Sequence, residues 1–264
     1  MRARTIDTHI SNIVDEHLQV LSSRIATTTY PDTYRAMLSF CVRTNSLKAA
    51  MLDTLESNNA YTFKTLLRVL CEHYLQFLQL WVRFTLEKSD VAAADHSRFC
   101  GARALQEGLD VLAAAGSLVP TTARQACRTL IEAQYYNVAR SGSEAFARRA
   151  DEFRSSSIVE FLARDHAGIS PDELPLLDRV IPTFALLAPL GRGGHYMDIG
   201  RLDAVELATF HSRVADAEFV IALPAIVFMF TALAISREYP EHVEIAPTIC
   251  ALIERFPLKR EGRD

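Results

Sequence analysis

At 264 residues the chain can bury a substantial core, and its Gly and Pro, ten of each, are too scarce for a turn-rich β sandwich. A net charge of −4 gives no electrostatic case for nucleic acid as the default partner. Five scattered cysteines, Cys41, Cys71, Cys100, Cys127 and Cys250, with no Cys-x-x-Cys pair, predict reduced and mostly buried thiols and a cytoplasmic location.

The elements follow in chain order. The first eighteen residues, MRARTIDTHISNIVDEHL, carry charges where a secretory signal needs its apolar core. From about Thr5 to Ala26 the pattern is helical, with Ile6, Ile10, Ile13, Val14, His17, Leu18, Leu21 and Ile25 on one face. Tyr30-Pro31-Asp32 opens a second helix whose core positions are Met37, Leu38, Cys41, Leu47, Met51 and Leu55. Ser57-Asn58-Asn59 ends it and leads into a long helix from Tyr61 to Glu87.

That long helix is apolar over most of its circumference. Wound at about 100° per residue, Lys64, Arg68, Glu72, Gln76, Gln79, Arg83 and Glu87 fall in one arc of roughly 140°, shared with Leu75, Val82 and Leu86. Leu66, Leu67, Leu70, Tyr74, Phe77, Leu78, Trp81 and Phe84 occupy the remainder. The polar line is a solvent strip or the wall of a buried site.

An Ala-rich helix is predicted over about Ser97 to Ala115, and another from Pro120-Thr121-Thr122 to about Arg140. Ser141-Gly142-Ser143 separates it from a charged helix over Glu144 to Arg164, whose mixed signs read as a solvated face. Ser170 to Gly194 holds four prolines and is the least regular stretch. Two more helices, about 203–237 and 242–256, close the pattern, with 258–264 a frayed tail. Within the first of them Phe219 to Ile235 is uncharged for 17 residues, at the lower limit for spanning a bilayer. Pro224 and the amphipathic turns before it favour a buried core helix over a membrane-associated one. No segment alternates with period two. The expectation is one all-α domain over residues 1–257, a bundle of about eight or nine helices.

Arg68 and Glu72, four apart, are neighbours on one helix face. Exposed, they make an ion pair worth a few tenths of a kcal/mol. At a pocket wall, the carboxylate would hold the guanidinium towards a polar or anionic ligand. A second candidate is Leu190-Gly191-Arg192-Gly193-Gly194-His195-Tyr196, where three glycines in four positions mark unusual backbone or a close approach. It matches neither a Walker loop nor a dinucleotide-binding fingerprint. As a loop it either only connects helices or presents Arg192 and His195 to a cleft.

Arg68-Val69-Leu70-Cys71-Glu72-His73 resembles the Arg-x4-His spacing of the HEPN ribonucleases, small helical proteins in which an Arg and a His act on the RNA backbone, usually across a dimer. In one unbroken helix the two point about 140° apart. No His-Glu-x-x-His or paired Glu-x-x-His occurs, so no metal and no cofactor is expected. The run LLRVLCEHYLQFLQLW also resembles the Leu-Leu-Arg-x3-Glu helix of a group of bacterial helical proteins, domain of unknown function family five-six-seven-seven. Arg68 and Glu72 match that motif, and His195 is the counterpart of a His-containing loop; the resemblance covers about Thr33 to Ser236 and implies an all-α fold without a settled activity.

The functional expectation is therefore a binding or regulatory protein with a polar pocket built from Arg68, Glu72, Arg192 and His195. Its partner would be a polar or anionic small molecule or a protein, with a homodimer admitted. The ribonuclease using Arg68 and His73, and a membrane association through 219–235, are the alternatives.

Overall fold

In the computed structural model, residues 2–100, 110–114, 118, 120–134, 144–188 and 209–256 are described. They form an all-α bundle. Besides a short helical stretch at 110–114, its α-helices among the described residues are α1 (Arg2–Ser23), α2 (Pro31–Glu56), α3 (Ala60–Glu87), α4 (Val91–Phe99), α5 (Thr121–Gln134), α6 (Glu144–Asp151), α7 (Ser155–Leu162), α8 (Leu177–Leu187), α9 (Thr209–Ser236) and α10 (Ile245–Ile253). No strand occurs among these residues, only an isolated bridge between His166 and Ile169 that turns through Gly168 at φ 82°.

The two longest of the early helices have clear chemical starts. Pro31 stands at the first turn of α2, where its missing N–H costs nothing. Asn59 caps α3 by accepting from the Thr62 N–H at 3.0 Å. The end of α3 is Lys88 in left-handed backbone at φ 48°, its N–H donating to the Phe84 carbonyl at 2.9 Å.

The centre of the molecule is α2, α3 and α9 packed on one another. Around them α1 and α10 lie against α9, α4 against α2 and α3, and α7 and α8 against α3. From α1, Ile6, Ile10, Val14 and Leu21 enter the core on the face expected of them, with Ile13 and Leu18, and Ile25 in the 3-10 turn that follows, partly buried at its edge. Burial of Tyr34, Phe40, Tyr74, Phe77, Phe84, Phe219 and Phe228 makes this core strongly aromatic.

In α9, Val214–Ser236 is the one stretch among the described residues long and apolar enough to cross a membrane, and 83% of its most apolar window is buried inside the fold. It runs through the middle of the bundle, touching α1, α2, α3 and α10, so its apolarity is spent on protein contacts. Pro224 sits inside it without ending it.

Three predicted boundaries move. In place of one helix over 97–115 there is Val91–Phe99, which buries Ala92, Ala93, His96 and Phe99 and stops at extended Cys100, and a separate helical stretch at 110–114 within the expected range. The helix expected over 144–164 breaks at Glu152–Arg154, and the break turns Phe153 inwards to stack on Phe99 at 6.0 Å. The proline-bearing stretch from 170 contains α8, with Pro182 in its interior. The extra helices relative to the expectation come from these breaks and from α8.

Candidate functional site

The polar line of α3 does not open onto water as a simple strip. Of its long polar residues only Glu87 is exposed; Gln79 is buried and the others are half-buried. Two roofs cover it. Towards the C-terminal end, the segment joining α6 and α7 lies over the line. There the Gln79 amide donates to the Glu152 carbonyl at 3.2 Å, and Arg83 donates to Glu87 at 2.9 Å and to Asp95 at 3.0 Å. Arg149 engages the same Asp95 carboxylate, so one acidic side chain ties α3, α4 and α6 together. Leu75 and Val82, which share the arc, are buried beneath these contacts, whereas Leu86 stays exposed.

Towards the N-terminal end the roof is α8. There the Arg68 guanidinium lies over the Phe184 ring, 5.5 Å from its centroid. Its Nη1 is 3.8 Å from Glu72 Oε2, too long for a hydrogen bond, and the two side chains are 26% and 32% exposed. Arg68 Nε is buried and has no hydrogen-bond partner among the described residues. The pair is thus a loose i,i+4 contact whose cation also lies against an aromatic face.

A second arginine–aromatic contact holds the other side of α8. Arg179 lies 4.2 Å from the Phe219 ring of α9 and donates to the Ala215 carbonyl at 3.2 Å. Just before α8, the Pro175 carbonyl accepts from the Tyr74 hydroxyl at 2.7 Å. The segment that carries Phe184 is therefore anchored to both α3 and α9, which fixes the wall against which Arg68 rests.

Arg192 and His195 lie outside the described residues, as does the 258–264 tail. His73 is described and lies away from Arg68: its ring packs edge-on against Phe40 of α2 at 6.2 Å, while Arg68 packs on α8. Within one chain the two do not meet, so a ribonuclease centre would have to draw one of them from a partner. A narrow cleft between α1, α2 and α9, with room for little more than a water molecule, is lined by Cys41, Asn45, Lys48 and Pro224 among others and does not include Arg68.

His96, one of the dispersed histidines whose pattern in the sequence reads as structural, packs among aromatic rings. It is only 9% exposed, tilted against Phe40 at 5.2 Å and Phe153 at 6.1 Å. His73 and His96 each bury an Nδ1 atom without a hydrogen-bond partner among the described residues. Burial lowers the pKa of both, and the Arg43 guanidinium adds to the effect; for His96 the result is about 4. The only signal available beforehand was the Ala92, Ala93, His96, Phe99 spacing of a buried helix face.

Among the described residues no group of three or more His, Cys, Asp or Glu side chains converges as a metal site. No protein-family model, curated protein or solved structure matches this chain.

Proposed function

We propose that this chain is a helical binding protein, and that the Arg68 guanidinium at the α3–α8 junction is its contact for a polar or anionic small molecule. The observation that carries the reading is the state of Arg68: a cation seated on Phe184, with Nε unpartnered and its nearest carboxylate at 3.8 Å. A guanidinium placed in this way has donors left to form a charge-assisted pair with a carboxylate or phosphate. Half-burial favours such a pair over one in open water. Glu72 holds the arginine's position from the same helix face and excludes a second anion beside it. The family resemblance implies the same two residues, Arg68 and Glu72, and no particular chemistry.

Calorimetric titration with inorganic phosphate, pyrophosphate and a dicarboxylate tests this directly. Saturable binding of at least one is expected, weakened about tenfold or more in Arg68→Ala, as loss of a charge-assisted hydrogen bond would give. Glu72→Gln should bind at least as tightly as the parent, because it removes the competing carboxylate. Binding that is indifferent to Arg68→Ala, or none at all for the three anions, would remove this reading.

A further inference from the structure

Phe40, His73 and His96 meet where α2, α3 and α4 converge. Both imidazoles pack on the Phe40 ring, His73 edge-on at 6.2 Å and His96 tilted at 5.2 Å. Each hides an Nδ1 that finds no partner among the described residues. In an imidazolium both ring nitrogens carry N–H, so a proton taken up at either site would leave Nδ1–H donating to nothing. The cost of that is the full desolvation of a charged donor.

The charged groups around this junction deepen the effect. Arg43 from α2, lying over the Phe40 ring at 5.4 Å, acts on both histidines, and Arg83 from α3 acts on His96. His73 and His96 also oppose one another. Of the carboxylates nearby, Glu72 leaves α3 about 100° round from His73 and stands 3.8 Å from Arg68, and Asp95 is taken by Arg83 at 3.0 Å and by Arg149 from α6, which Glu152 in turn holds at 2.7 Å. The Cys100 thiol, which ends α4, is pushed up by burial to about 11 and brings no charge. Among the described residues no carboxylate is paired with either imidazole.

We propose that this three-ring junction is an acid-released latch, which holds α4 on α2 and α3 while both imidazoles are neutral and frees it when they take up protons. The part that moves is α4, because its nine residues bury only Ala92, Ala93, His96 and Phe99, whereas α2 and α3 are the 26- and 28-residue helices at the centre of the core. Opening carries the His96 imidazole from its buried site into water, where its pKa returns to about 6.5, while half-buried His73 stays on α3. Protons from solvent then bind the open form.

The sign follows from the lowered values. The latch is fully closed above about pH 6.5 and loosens as pH falls from there towards 4, since only the open state binds the proton in that window. From His96 alone, whose pKa is about 4 when closed and 6.5 when open, the opening constant at pH 5.0 is roughly thirty times that at pH 7.5. Arg68 takes no part in it.

The test is amide hydrogen exchange on the full chain at pH 7.5 and 5.0, corrected for intrinsic rates, in the parent and in His96→Phe. In the parent, protection of the Val91–Phe99 peptides should fall about thirtyfold at pH 5.0, while that of α9 peptides holds. His96→Phe keeps an aromatic ring beside Phe40 and Phe153 and should lose most of that pH response. The latch is overturned by α4 protection that ignores pH, by α4 and α9 opening together, or by an unchanged response in His96→Phe. Should that variant not fold, the His96 carbon-13 signal of the parent decides: titration well below pH 6.5 supports the latch, and titration near 6.5 in the folded chain overturns it.

Discussion

Asp90 caps a helix it does not belong to. One carboxylate oxygen accepts from the Thr33 N–H at 2.9 Å and the other from the Asp32 N–H at 3.3 Å, so it closes the start of α2 although its backbone precedes α4. The local residue at that place, Tyr30, makes no side-chain cap of its own. Asp90→Ala should therefore cost about 1–2 kcal/mol, the range of a lost N-cap, with a further share from the negative charge at the α2 N-terminus. Urea unfolding measures it. A change under about 0.3 kcal/mol, the effect of an ordinary surface substitution, would contradict the assignment.

Lys48 is 5% exposed and donates to Asp7 at 2.6 Å and to Ser11 at 3.1 Å, pinning α2 to α1. Removing only the anion strands a buried ammonium. Asp7→Ala is expected to destabilise by about 2–4 kcal/mol, somewhat under the cost for a wholly buried pair because Asp7 keeps a fifth of its exposure. Replacing both, with Asp7→Leu and Lys48→Met, should recover most of that loss, since apolar side chains then fill the site without a charge to solvate. If thermal denaturation shows the double variant as weak as Asp7→Ala, the pair is more than an ion pair and the interpretation fails.

The thiols differ sharply in environment. Burial pushes Cys41 and Cys71 up to about 12, with the Thr231 hydroxyl near Cys41 and Arg179 near Cys71 only partly offsetting it. Cys127 is exposed, and Cys100 and Cys250 are intermediate. Because the thiolate is the reacting species, maleimide labelling of the native chain at pH 7.5 should reach Cys127 first and leave Cys41 and Cys71 untouched until unfolding. Peptide mass spectrometry gives the order directly. Early labelling of Cys41 or Cys71 would show that the α2–α9 or α3–α8 contact opens under native conditions.

The helical class and the longest helices were legible because their signals are local. Asn59 before an apolar periodic run, Pro31 at a first turn and the Ile6, Ile10, Val14 spacing each act through contacts within a few residues. What was not legible required knowing a distant partner. Glu152-Phe153-Arg154 is compatible with helix, and the break there exists because Phe153 is drawn onto Phe99 and His96. Pro182 suggested irregularity, yet α8 continues through it, fastened by Arg179 to Phe219 and by Phe184 to Arg68. The i,i+4 spacing identified Arg68 and Glu72 as a pair, but Phe184 beneath the guanidinium belongs to another element. His73 stands about 140° round the helix from Arg68, and that position is what brings it to Phe40 beside His96.

Trp81 is the one tryptophan in the chain, and its surroundings make it a reporter of the α3–α9 contact. Its ring stacks on Phe230 at 4.5 Å with planes 20° apart, and its Nε1–H donates to the Phe230 carbonyl at 3.2 Å. Phe230→Ala keeps the backbone acceptor and removes the stacked ring. It should lower stability by about 3 kcal/mol, from lost burial of an 8%-exposed side chain and the void left behind. Native emission should also move to longer wavelength as water reaches the exposed indole face. Phe230→Leu, filling most of the void, should recover more than half of the stability but less of the spectral shift, because only an aromatic ring covers the indole face to face. An emission maximum unchanged in Phe230→Ala would mean that other side chains shield Trp81 and that the α3–α9 stack is not what keeps it dry.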